Sequence, residues 1–146
     1  MANYRKLRPD IGIGVCIIND GKVLLGKRKN SHGDGSWSFP GGHLEMYETW
    51  EGCAEREVLE ETNLRIKKIK FASVTNDIFP EEEKHYITIF LIADYYSGEL
   101  KTMEPEKCTD WGWFRWDNLP QPLFRPIINL IRQGFDPDTP AKRNKK

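Results

Sequence analysis

Glu57, Glu60 and Glu61 are spaced to share one edge of a helix, and three carboxylates within reach of one point can hold a hard divalent cation. On a helical wheel for residues 48–63, at about 100° per residue, Trp50, Cys53, Ala54 and Val58 mark the buried side. Glu57 and Glu61 fall in the middle of that side, one turn apart, and Glu60 lies at its edge. Acidic helix faces are ordinarily solvated. Here Val58 and Glu57 cannot both find their preferred surroundings unless the helix borders a cleft. A carboxylate taken out of water needs a cation or hydrogen-bonding partners, because its charge is costly to bury alone.

The flanking residues fit such a site. Pro40-Gly41-Gly42 predicts a tight loop feeding the helix, with glycine permitting a close backbone approach. Glu48 and Thr49 suit the exposed N–H donors of a helix start. Arg56 sits beside the acidic cluster and can hold it through a forked guanidinium. A second candidate, the run Gly21 to Arg28, nearly spells a phosphate-binding loop. It lacks the closing Ser or Thr, and its glycines enclose a strand, so it is rejected.

Gly42, Glu48, Arg56, Glu57, Val58, Glu60, Glu61 and Leu64 together resemble the signature of the Nudix hydrolases. That signature runs Gly, five residues, Glu, seven residues, then Arg-Glu-apolar-any-Glu-Glu-any-Gly-apolar. Asn63 stands where the family has Gly; Asn is the next residue most tolerant of a left-handed helix end. The resemblance implies an α/β/α sandwich around a mixed β-sheet, an α+β arrangement in which the signature forms loop-helix-loop. It implies hydrolysis of nucleoside diphosphates linked to a further group, with Mg²⁺, or Mn²⁺ in its place. By the same resemblance Gly42, Glu57, Glu60, Glu61 and Glu106 hold the metal, with Glu104 on the same loop as Glu106. Glu57 or Glu60 is the base, and Arg56 and Glu48 orient the cluster.

A narrower resemblance runs through LLGKR, PGGHLE, ETWEGCA, HYIT, MEPEK and WGWFRWDNLPQPLF to the MutT-type nucleoside triphosphate diphosphatases that act on oxidised or modified purine nucleotides. It implies release of a monophosphate and pyrophosphate. Arg28 and His43 would meet the phosphates, Thr88 and 124–127 would line the base pocket, and Phe124 would stack on the base, with Ile127 beside it. Arg125 and Pro126 depart from residues common at those positions. The alternatives are ADP-ribose hydrolysis, to which Pro80 points by its distance from the signature, hydrolysis of a terpenyl diphosphate, and a non-catalytic nucleotide-binding module. The resemblance also implies a homodimer.

Among the elements that must position these residues, strands outnumber helices and the order is mixed. Residues 11–18 and 22–28 read as strands joined by the turn Asn19-Asp20-Gly21. Residues 30–35 read as a loop and 37–39 as a short strand before the glycine turn. Strands follow at 65–75, 85–95 and 111–115, separated by an acidic loop at 77–84 and another loop at 98–109. The 111–115 strand places Trp111 and Trp113 on one face and Phe114, followed by Trp116, on the other. Residues 123–132 read as a second helix ended by Gly134. A twisted mixed sheet flanked by helices is the architecture this order predicts.

A chain of 146 residues suits one domain, here 1–136, with 137–146 as a basic, frayed tail. The formal net charge is zero, which argues for a small nucleotide substrate over a nucleic-acid polymer. Cys16, Cys53 and Cys108 fit neither a disulfide framework nor a zinc spacing, and point to reduced thiols in a cytoplasm. No signal segment or membrane-spanning run is read, so no membrane partner is expected.

Overall fold

The computed structural model describes residues 7–138; the expected basic tail at 137–146 lies almost wholly outside them. Two hydrophobic cores sit on opposite faces of one sheet, and the strand sequences show why. In β1 (Asp10–Asn19), Ile13, Val15 and Ile17 point to one face while Cys16 points to the other. β2 (Lys22–Arg28) splits likewise, Leu24 to the first core and Val23 and Leu25 to the second. Strands buried on both faces read as continuous apolar runs, which is what both segments show.

The sheet has seven strands, ordered β3-β2-β1-β6-β5, with β4 pairing β1 and β7 pairing β2. β3 is Trp37–Ser38, β4 Gly41–His43, β5 Arg65–Phe79, β6 Lys84–Ser97 and β7 Cys108–Arg115. β1 runs parallel to β6, from Asp10 opposite Tyr86 to Ile18 opposite Asp94, whereas the other pairings are antiparallel. Helix α1 (Trp50–Thr62) covers the first core and α2 (Arg125–Arg132) the second, completing a mixed α/β/α sandwich. No helix among the described residues is long and apolar enough to cross a membrane.

The 19–21 turn forms with Asp20 and Gly21 at φ 55° and 76°, the left-handed pair that a two-residue hairpin needs. Trp111 and Trp113 join the first core and Phe114 and Trp116 the second, as their alternation predicts. Several boundaries differ from the sequence reading. β5 and β6 extend through half of the expected acidic loop, leaving 80–83 as the turn, because Asp77 is fully buried within the ladder and hydrogen-bonded there. The glycine turn carries a short strand, Gly41–His43, that pairs with β1. The second helix starts at Arg125, two residues late: Phe124 N–H bonds to Trp37 O and Pro126 occupies the first turn. Trp50, expected in the core, is 41% exposed and leans on Phe71 instead. The cysteines are free and buried. Burial pushes the Cys53 and Cys108 thiols up to about 12 and drives Cys16 higher still.

Candidate active site

Helix α1 is delimited by local chemistry that fixes where its glutamates point. Thr49 Oγ1 accepts from Gly52 N–H at 3.0 Å, capping the start. Asn63 ends the helix in the left-handed region at φ 67°, its N–H bonded to Leu59 O. Cys53, Ala54 and Val58 are fully buried beneath. Between these caps Glu57 and Glu61 turn toward β4 and Glu60 toward the solvent edge.

Arg56 organises the acidic side. Its guanidinium donates to Glu48 through Nε at 2.7 Å and Nη2 at 2.9 Å, a forked pair. Nη1 reaches Glu57 at 3.2 Å and Glu60 at 3.4 Å, and Nη2 also donates to His43 O at 3.2 Å. The Arg56 hydrogen bonds hold Glu48 down near 2, and Arg56 is itself raised by Glu48. Burial, followed by the charges of Glu60 and Glu104, pushes Glu57 up to about 7 against the pull of Arg56. Glu61 accepts from Gly41 N–H at 3.1 Å, yet burial and the charges of Glu57 and Glu104 push it up to about 8.

The glycine turn packs against this cluster. A Cβ on Gly42 would lie 2.1 Å from Glu57 Oε2, and one on Gly41 would lie 1.9 Å from Ile13 O. Gly41 therefore excludes any larger residue, and a side chain at Gly42 would displace the Glu57 carboxylate. Glu104 faces Glu57 and Glu61, whereas Glu106 is exposed at the rim of the cavity and its carbonyl accepts from Asn30. Among the described residues no three His, Cys, Asp or Glu side chains close on one point as they stand. Arg56 draws Glu57 and Glu60 one way while Gly41 holds Glu61. The donor set is nonetheless all oxygen, and its two partly buried carboxyls, Glu57 and Glu61, share the single Arg56 contact made to Glu57, which leaves negative charge that a hard divalent ion would satisfy.

A cavity of about 570 Å³ opens beside the carboxylates, within the range of small-ligand sites. Gly12 and Gly14 of β1 leave space over the sheet, and Thr88, Tyr86 and Phe90 of β6 line it alongside. Phe79, Phe124 and Ile127 are among the apolar residues lining it. His32 stacks on Tyr86 at 4.8 Å between ring centres and meets Phe79 edge-on at 4.9 Å. Phe79 stacks on Phe124 at 5.6 Å. Burial, with the charges of Arg28, Lys84 and His43, holds His32 near 4, so it is neutral at pH 7. Arg28 joins the two halves: it lies 4.0 Å over the Phe124 ring, donates to His32 O at 2.9 Å, and feels the charge of Glu61. His43 contacts Tyr86 Oη at 3.2 Å and lies on the cavity wall.

The predicted residues Arg28, Gly42, His43, Glu57, Glu61, Thr88, Glu106, Phe124 and Ile127 thus line one cavity, with Arg56 and Glu60 at its acidic edge. Sequence reasoning missed His32, Phe79, Tyr86, Asp77 and the two β1 glycines. The available signal was Gly12-Ile13-Gly14 in an otherwise bulky strand, since glycine within a strand marks a close approach.

A family model described as NUDIX domain matches residues 8–133. The ADP-ribose pyrophosphatase of Methanocaldococcus jannaschii is 36% identical over 118 residues, covering 81% of this chain and 69% of that protein. The NAD-capped RNA hydrolase NudC of Pectobacterium atrosepticum is 33% identical over 118 residues, 81% of this chain. The chain spans only 42% of that relative's length. The crystal structure of a MutT NUDIX hydrolase from Burkholderia pseudomallei superposes with a TM-score of 0.80 at 33% identity, covering 86% of this chain and 98% of that one.

Proposed function

Because the chain belongs to the Nudix family, we propose that it hydrolyses the diphosphate linkage of a nucleotide, with nucleoside triphosphates, including oxidised or modified purines, as substrates and a monophosphate and pyrophosphate as products. The observation that carries this reading is the adjacency of buried carboxylates and an aromatic cavity, bridged by Arg28.

Glu57, Glu60 and Glu61, with the Gly42 backbone, would hold Mg²⁺ or Mn²⁺, with Glu104 better placed to assist than Glu106. When bound, the ion offsets phosphate charge and acidifies a coordinated water. The residues supply the rest. Arg28 draws the phosphates toward the carboxylates, and His43 stands at the turn where they pass. Arg56 fixes the orientation of Glu57 and Glu60. Glu57 or Glu60 would serve as the base, both held in place by Arg56. Phe124 and its neighbours offer a stacking surface for a base.

A second reading is ADP-ribose hydrolysis, favoured by the archaeal relative. Pro80 adds little to it: that residue sits in the β5–β6 turn, where its carbonyl accepts from Glu83 N–H at 3.2 Å. A terpenyl chain fits less well, since Thr88 and Asp77 make one wall polar. Retention of Glu57, Glu60 and Glu61 argues against a module that only binds. The homodimer reading is supported by the exposed apolar strip Trp50, Phe71, Val74 and Ile78, and sedimentation would test it. The buried free thiols support the cytoplasmic reading.

The deciding experiment is a panel of common dNTPs, 8-oxo-dGTP, ADP-ribose, NAD and geranyl diphosphate with Mg²⁺, products separated by chromatography. Preferred turnover of a triphosphate to monophosphate and pyrophosphate supports the proposal. AMP and ribose phosphate from ADP-ribose, with slow triphosphates and slow NAD, move the assignment to the second reading.

A further inference from the structure

Asp77 is fully buried in β5, beneath the wall of the cavity, and touches three partners from three elements. Its Oδ2 accepts from Thr75 Oγ1 at 2.8 Å and from Thr88 Oγ1 at 2.6 Å, and its Oδ1 accepts from Asn129 Nδ2 of α2 at 2.8 Å. Thr88 lies on β6 opposite Thr75 and beside Gly12 of β1. A hydroxyl has one proton to donate and two lone pairs to accept with. The Thr88 proton is committed to Asp77. What Thr88 Oγ1 turns toward the cavity is therefore lone-pair density. Gly12 lies beside that oxygen: a Cβ there would only touch it, at 3.7 Å, whereas a longer side chain would grow across the cavity floor. Thr88 itself is only 8% exposed, so a ligand group reaching it leaves water behind and must satisfy it.

We propose that Asp77 is a positioning residue that sets the hydrogen-bonding polarity of the cavity floor: it makes Thr88 an obligate acceptor, so the site selects a heterocycle that presents an N–H at that edge. The inference rests on the proposed function, in which a nucleotide base occupies this cavity. Its chemistry is specific. Lactam and amino groups of purines carry such N–H donors, whereas an unsubstituted purine ring offers only acceptors along the same edge. Replacing the Asp77 carboxylate by an amide inverts the arrangement. The amide carbonyl still accepts from Asn129, its N–H₂ group donates to the two threonine hydroxyls, and the Thr88 proton is released to face the ligand.

The test compares matched nucleotides that differ by one N–H-bearing group: guanosine against inosine and adenosine against purine riboside for an amino group, and inosine against purine riboside for a lactam, which brings a carbonyl with its N–H. Each is offered as the triphosphate and as the diphosphate joined to ribose. The parent protein is expected to favour the N–H-bearing member of at least one pair by about 10- to 100-fold in kcat/KM, carried by KM. In Asp77→Asn that ratio falls at least about tenfold, with kcat on the preferred nucleotide nearly kept. Thr88→Val abolishes the ratio and Thr88→Ser retains it, a comparison that stands even if Asp77→Asn fails to fold. Parent turnover without discrimination in any pair overturns the inference and leaves the proposed function standing. So does a ratio that survives in Thr88→Val. Failure of the parent to hydrolyse either form overturns the proposed function and this inference with it.

Discussion

The acidic edge of α1 and the aromatic cavity beside it are built in opposite ways. Glu48, Arg56, Glu57, Glu60 and Glu61 come from one turn-and-helix segment, and their mutual positions follow from helical spacing and one guanidinium. The cavity draws His32 from a loop, Phe79 from β5, Tyr86 and Thr88 from β6 and Phe124 from the segment before α2. Local spacing holds the first region together; only the completed sheet holds the second. The charged region therefore depends on nearby residues, while the cavity, which under the proposed function would meet the variable part of a ligand, depends on distant ones.

The sharpest way to break this division is at the acidic edge. Glu57→Gln should lower kcat by about 10³-fold while leaving the circular dichroism spectrum intact. Activity at the parental rate would remove Glu57 from the site. Gly42→Ala should approach the same loss, because its methyl group would displace the Glu57 carboxylate. At the cavity the signature should differ: Phe124→Ala is expected to raise KM by about 10- to 100-fold with kcat little changed, the usual cost of a lost stacking surface. A kcat loss equal to that of Glu57→Gln would show that the two regions are not separable.

The smallest expected effect concerns pH. Glu57 and Glu61 sit near 7 and 8 in the folded chain, above the ordinary carboxyl value of 4.5. Between those values the folded state keeps protons that the unfolded state has released, so their contribution is present at low pH and lost as pH rises. The metal-free protein should melt measurably lower at pH 8 than at pH 5 from this source. Mg²⁺ should narrow the gap, since the ion takes the place of the protons. A melting temperature insensitive to both would contradict the burial of these carboxyls.

This contrast also explains what was legible in the sequence. The helix could be placed within two residues at its start and one at its end because its caps and glutamates lie in a single stretch. The strand pattern of β1 and β2 was equally plain, since apolar residues there fill both faces. Asp77 misled the reading: a charge in an acidic run looks like a loop, and only the threonines and Asn129 brought to it by β6 and α2 make its burial tolerable. His32 was invisible for a related reason. Its role depends on stacking with Tyr86, more than fifty positions along the chain, and no local pattern encodes that contact.

The three cysteines give these regions separate clocks. Cys16 lies in the second core, Cys53 on the buried face of α1 with Sγ near His43 O, and Cys108 on the cavity wall. Thiols held this far from ionisation react slowly with alkylating reagents while the fold is closed. Each labelling rate therefore reports how often its own neighbourhood opens. Ligand that fills the cavity should slow Cys108 first, whereas divalent cation alone should slow Cys53.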